Sequence, residues 1–372
     1  MRLDRSIKEW LLRLDIPIHG GRYYLNDRNI DIIDFSTTVN PLGVSEHVIK
    51  ALLDSIVGSD AIVEYPDPYA RILKGSIVEY LGIGIDKDNI LVGNGSTEII
   101  YDLVDSFIAS NDKVAIVEPT FLEYAHASRR NNAVIEHILM DDLRIDDSIE
   151  ERIATCKPKM LFICNPNNPT GILADDKYID GILEQCYNDG TIVVLDESFI
   201  EFTGRSGYVK RVAEYDNLIV IRSLTKTFGL AGLRIGYCVA SKDTVDILQR
   251  FKVPWSVNAL AQIAGAEALN DSEYVERSRS VIDKERSFLL STLSGIGFEA
   301  MASDTNFFLI RSNIDSTMLK EMLLDRGILV RDCSNFYGMH GSNYIRISTR
   351  LRLENTLLVD TLRSISDNYA CK

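Results

Sequence analysis

The stretch RSLTKTFGLAGLRIGY (222–237) follows an apolar run, NLIVI (217–221), and sets Lys226 among small residues with Arg234 eight positions further on. A solvated surface lysine needs no such setting, whereas an amine that must meet a small carbonyl compound does. Three other stretches carry groups of comparable promise. TIVVL (191–195) runs into Asp196, a carboxylate that needs a cation or hydrogen-bond donor if its strand is buried. NPNNPTG (165–171) combines two X-Pro bonds with a glycine, fixing a rigid turn around Asn168, with Asn168-Pro169 as the candidate cis bond. GNGSTEII (93–100) is a Gly-rich turn into a helix start, where Gly95, the backbone amides and the Ser96 and Thr97 hydroxyls suit a phosphate. It is no dinucleotide fingerprint, since Glu98 takes the third glycine position, and no Gly-Lys-Ser/Thr follows to make a nucleotide loop. Taken singly, each stretch has an ordinary reading as a helix start, a tight loop, an N-cap or an exposed lysine.

The elements around them join the four. Apolar runs at 89–92, 113–119, 159–166, 191–199 and 217–224 alternate with helix-length segments, the pattern of a mostly parallel sheet covered on both faces. In such α/β folds ligands gather at the carboxyl ends of the strands. The four stretches follow the strands in order. Asn168 and Asp196 are 28 residues apart, and Asp196 and Lys226 are 30, each about one βαβ unit. One crevice could hold them all. A lysine to trap an aldehyde, a phosphate turn, a donor for a phenolic oxygen and a carboxylate for a ring nitrogen together point to pyridoxal 5′-phosphate. After Pro254 the pattern becomes α+β. The expected division is an N-terminal arm (1–44) packing on the small domain, a large cofactor-binding domain (45–257) and a small C-terminal domain (258–372).

Composition limits the partners. The 372 residues carry 40 Lys and Arg against 54 Asp and Glu, a net charge of −14 that repels nucleic acid and anionic membranes. Six scattered cysteines without a C-x-x-C pair read as free thiols in a reducing compartment. The N-terminal stretch MRLDRSIKEWLLRLDIPIHGG is charged and helix-patterned, unlike a signal peptide, and no run approaches transmembrane length, so a cytoplasmic protein is expected. No metal site is expected.

GNGSTE, NPNNPTG and SLTKTFGLAGLRIGY together resemble the fold-type I pyridoxal-phosphate enzymes of the class I/II aminotransferase superfamily, over nearly the whole chain. The resemblance implies that Lys226 is the Schiff-base lysine and that Asp196 holds the pyridine nitrogen protonated. It implies that Asn168 bonds the phenolic oxygen, that Gly95, Ser96, Thr97, Ser223 and Arg234 hold the phosphate, and that Phe121 stacks on the ring. Tyr65, in EYPDPYA, matches a tyrosine that reaches the phosphate of the neighbouring subunit, implying a homodimer with shared sites. Arg346, in YIRIS, matches the arginine that takes the substrate's anion.

Two sister groups are most similar: histidinol-phosphate aminotransferases and threonine-phosphate decarboxylases of cobalamin biosynthesis. Both take phosphorylated amino substrates, and a second arginine, Arg331, would help Arg346 grip a dianion. IPIHGG (16–21), which would put His19 near the substrate, VPWSVNALA (253–261) and RDCSNF (331–336) resemble the decarboxylases, as does Phe199 in DESFIEF, where most aminotransferases have a tyrosine. The expectation is therefore decarboxylation of L-threonine O-3-phosphate to 1-amino-2-propanol phosphate. The alternative is a histidinol-phosphate or aromatic amino acid aminotransferase using 2-oxoglutarate. A DNA-binding regulator on this fold is disfavoured by the acidic charge and by the short segment before the large domain.

Overall fold

The computed structural model describes Trp10, Leu12 and residues 14–22, 31–58 and 60–370. Much of the helix-patterned N-terminal stretch and Cys371 lie outside them. The described chain starts with a short strand β1 (Ile33–Asp34) and helices α1 (Glu46–Val57), α2 (Asp60–Val63) and α3 (Arg71–Leu81). Strand–helix units then repeat. β2 (Ile90–Gly93) leads to α4 (Ser96–Phe107), and β3 (Lys113–Glu118) to α5 (Glu123–Arg130). β4 (Val134–Leu139) leads to α6 (Asp147–Cys156), and β5 (Met160–Cys164) to α7 (Asp176–Asp189). β6 (Ile192–Asp196), β7 (Leu218–Ser223) and β8 (Gly236–Val239) follow, then α8 (Lys242–Phe251).

These strands form one sheet in the order β2-β8-β7-β6-β5-β3-β4. Neighbours run parallel except β8, which lies antiparallel to both β7 and β2. β8 escapes the apolar-run reading because only Gly-Tyr-Cys-Val passes through the sheet, directly after the lysine turn. Successive strand residues point to opposite faces. Val193, Leu195 and Val220 therefore join one core, covered by α1, α3, α6 and α7, while Val194, Ile219 and Ile221 join the other, under α4, α5 and α8. The NPNNPTG turn does hold a cis X-Pro bond, but at Asn165-Pro166; the bond before Pro169 is trans. Both prolines meet the turn composition, which therefore does not choose between them.

The next helix, α9 (Ala259–Asn270), is started by Asn258, whose side chain accepts from the Ala261 amide. Its Ala261, Ala264 and Leu269 lie in the core of the large sheet, against α1 and α3. A boundary at 257/258 thus cuts a packed unit. We place the division inside α10 (Ser272–Ser294), whose Val275 sits in the large core and whose Leu289 and Leu293 sit in the small one. The small layer continues with β9 (Glu299–Ala300), β10 (Phe307–Arg311), α11 (Ser316–Leu324), β11 (Ile328–Leu329), β12 (Arg331–Asp332), β13 (Tyr344–Ser348) and α12 (Arg352–Ala370). Its main sheet is antiparallel, in the order β12-β13-β10-β9. β1 adds parallel to β11, the Ser348 amide donates to Phe35 O at 2.9 Å, and Phe35 is fully buried in the small core. No helix among the described residues is long and apolar enough to cross a membrane.

Candidate functional site

The carboxyl ends of β2, β3, β5, β6 and β7 open on one cavity of about 680 Å3, with the small layer and the arm at its other side. Eleven of the residues singled out in the sequence line it: His19, Ser96, Thr97, Phe121, Asn168, Asp196, Phe199, Lys226, Arg234, Arg331 and Arg346.

At one end, β2 stops at Gly93 and α4 begins at Ser96, with Gly95 (φ +78) between them. A Cβ on Gly95 would stand 2.5 Å from Arg234 Nη2, so only glycine lets the guanidinium lie against the helix start. Arg234 itself adopts φ +58, a left-handed backbone that costs a non-glycine residue of order 1 kcal/mol. Free amides, two hydroxyls and a guanidinium converge there, a site for a dianion. Ser223 is one hydrogen bond removed from the cavity. It is buried, its Oγ 2.7 Å from Thr225 Oγ1, and Thr225 lines the wall.

Lys226 lies between this end and the small-layer arginines, its Nζ 5.5 Å from the centre of the Phe199 ring. Burial, reinforced by the charges of Arg346 and Arg234, lowers its pKa to about 8. About a tenth of the amine is thus neutral and nucleophilic at pH 7, and about half at pH 8. Asp196 ends β6 fully enclosed, where burial raises its pKa while the Ser198 amide (2.9 Å to Oδ1), the Tyr124 hydroxyl (2.7 Å to Oδ2) and the Lys226 charge oppose the rise. A carboxylate held this way is poised to accept a cationic ring N–H. Phe121 forms the neighbouring wall, edge-on to Tyr124 at 5.6 Å.

The small layer supplies the opposite end. Arg346 on β13 donates through Nη1 to Asn168 Oδ1 and through Nη2 to Ser36 O at 2.6 Å. That bond uses the Asn168 carbonyl, leaving its Nδ2 as the donor toward the cavity. Arg346 Nε and Ser198 Oγ are buried without a hydrogen-bond partner among the described residues, which is how a site built to receive polar groups looks without them. Arg331 on β12 donates to Ile18 O (2.8 Å) and Asn335 Oδ1 (2.8 Å), with its guanidinium over the Phe336 ring. His19 Nε2 meets Glu123 Oε1 at 2.6 Å, and the Tyr101 hydroxyl donates to the other oxygen at 2.5 Å. Tyr65 lies elsewhere, 83% exposed and 5.2 Å from the Trp255 ring.

Sequence reasoning overlooks Tyr124, Thr225 and Glu123. Glu123 and Tyr124 stand two and three positions after Phe121, and Thr225 directly precedes Lys226, so adjacency was the available signal. The donor set as a whole fits the cofactor that the motifs imply: a phosphate cup, a covalent amine, a carboxylate for a ring nitrogen and an amide for a phenolic oxygen.

Known proteins share this fold and much of its sequence. The chain is 38% identical over 328 residues to histidinol-phosphate aminotransferase of Thermoanaerobacter pseudethanolicus, covering 87% of this chain and 90% of that protein. The solved L-threonine-O-3-phosphate decarboxylase of Porphyromonas gingivalis superposes with a TM-score of 0.76 at 30% identity, over 90% of this chain and 99% of that one. Histidinol-phosphate aminotransferase of Sinorhizobium meliloti, solved in complex with pyridoxal-5′-phosphate, shares the fold with a TM-score of 0.86 at 20% identity, over 98% of both chains. The profile of aminotransferase class I and II matches residues 30–359, and the chain belongs to that family.

Proposed function

We propose that this chain is a pyridoxal-phosphate enzyme that transfers the amino group of histidinol phosphate to 2-oxoglutarate. One observation carries the reading: the cavity has two separate anion sites with Lys226 between them. The large layer builds one from the α4 start and Arg234, and the small layer builds the other from Arg331 and Arg346. A phosphorylated cofactor takes the first, and a phosphorylated amine or a dicarboxylate acceptor takes the second in turn. The similarity to histidinol-phosphate aminotransferases supports the transfer reaction over the decarboxylation expected from the sequence.

When bound, the cofactor supplies an aldehyde to capture the substrate amine and a ring to take up electrons from a breaking Cα bond. The protein does the rest. Asp196 keeps a ring nitrogen protonated, and Asn168 Nδ2 fixes the phenolic side. Lys226 Nζ, about half neutral at pH 8, would take the Cα proton of a bound substrate. Arg331 and Arg346 would hold the substrate's anion and so orient its Cα toward Lys226 Nζ.

A second reading, decarboxylation of threonine phosphate, is favoured by Phe199. It offers no hydroxyl to the phenolic oxygen, and its ring lies under Lys226 Nζ. Holoenzyme given histidinol phosphate and 2-oxoglutarate should form glutamate. CO2 release from threonine phosphate without glutamate formation in the first assay would replace the main reading with the second.

Tyr65, exposed and outside the Lys226 cavity, is placed where a second copy could meet it, which supports a homodimer. Around it Leu53, Val57, Ile62, Val63, Tyr69 and Ile72 are also exposed, an apolar surface that a second copy would cover.

A further inference from the structure

Behind the anion-binding turn stands a polar cluster that the mechanism above does not use. Glu98, in the first turn of α4, accepts from the Asn94 amide at 2.7 Å, from Lys252 Nζ at 2.5 Å and from Ser256 Oγ at 3.1 Å, all through Oε2. Lys252 also donates to Ser256 Oγ at 2.6 Å, and its side chain is only 5% exposed. It is delivered by the C-terminus of α8, which packs along α4. Three residues further on, Trp255 (φ +59) lays its ring against Tyr65.

An acidic residue in the first turn of a helix is stabilised by the helix dipole, and so competes for the same positive end that a phosphate would use. Glu98 also lines the cavity, where its charge would repel a dianion. Lys252 offsets that charge from behind while leaving Glu98 free to hold the Asn94 amide. We propose that the Lys252–Glu98 pair is a positioning device for the phosphate end of the cofactor: it fixes the Asn94–Ser96 turn and keeps the cup net positive. Ser256 and Trp255 tie that device to the exposed face carrying Tyr65. The inference rests on the cofactor reading above and concerns affinity for the phosphate group alone.

The test compares two probes, pyridoxal 5′-phosphate and phosphate-free pyridoxal, titrated by absorbance into protein stripped of cofactor. In Lys252→Met, affinity for pyridoxal 5′-phosphate should fall about tenfold, while affinity for pyridoxal stays within about twofold. Adding Glu98→Gln should restore most of the phosphate-dependent loss, because the uncompensated charge is then gone. An unchanged affinity in Lys252→Met, an equal loss for both probes, or no rescue by the second substitution would overturn the inference. Wild-type protein that bound neither probe would instead overturn the cofactor reading, and is distinguishable on that ground.

Discussion

Lys226 is where the chemistry of this chain turns on a single pKa. Burial and two nearby guanidinium groups, Arg346 and Arg234, depress it from an ordinary lysine value to about 8. A lowered pKa on a base means that the folded protein releases the proton earlier than the unfolded chain, so the neutral amine gains population as pH rises through 8. The rate at which cofactor-free protein captures pyridoxal 5′-phosphate should therefore rise with pH and level off with a midpoint near 8. Arg346→Met removes a like charge and should move the midpoint upward, short of the ordinary lysine value because desolvation persists. Stopped-flow absorbance against pH reads both. A wild-type midpoint near 10 would mean that the amine is solvated.

At the scale of elements, the strand ends are pinned from below. Arg222 on β7 is 3% exposed and donates to Glu197 Oε2 at 2.9 Å, just past β6, to Glu201 Oε1 at 3.0 Å, and to Ser206 O at 2.7 Å. Glu197 also accepts from the Tyr208 amide at 2.7 Å. The group ties the loop after Asp196 to the strand that leads to Lys226. Arg222→Met should leave two buried carboxylates uncompensated and cost about 3–5 kcal/mol in a denaturant titration. A loss below about 1 kcal/mol would show that the loop is held by other contacts. None of this was legible in the sequence, because Arg222 in RSLTK and Glu197 beside Asp196 carry no mark of their pairing. The strands themselves were legible, being apolar on both faces. So were Lys226 and Asp196, since a charge at the end of such a strand demands a reason. Tyr124 was not, as a tyrosine on a helix has a core explanation by default. The core that α9 joins was not legible for a related reason: a change from α/β to helical pattern marks a change of element, not of the core an element joins.

Over the whole molecule, the acidic net charge of −14 contrasts with a cavity holding Lys226, Arg234, Arg331 and Arg346. The cationic groups are local and enclosed, so they would act on an anion bound there with little screening by salt. The other large-scale feature is the apolar surface of α1 and α2 with Tyr65. Light scattering should give the mass of a dimer for the wild type, and Leu53→Asp, placing a charge on that surface, should shift the population to monomer with weaker cofactor affinity. A wild-type monomer would leave Tyr65 without a role. If Lys226 at the floor of this cavity is the covalent anchor of pyridoxal 5′-phosphate, borohydride reduction of the loaded protein followed by peptide mass mapping will locate it. The reduced adduct should fall on the peptide containing Lys226. An adduct confined to other lysines, or none at all, would mean that Lys226 does not anchor the cofactor.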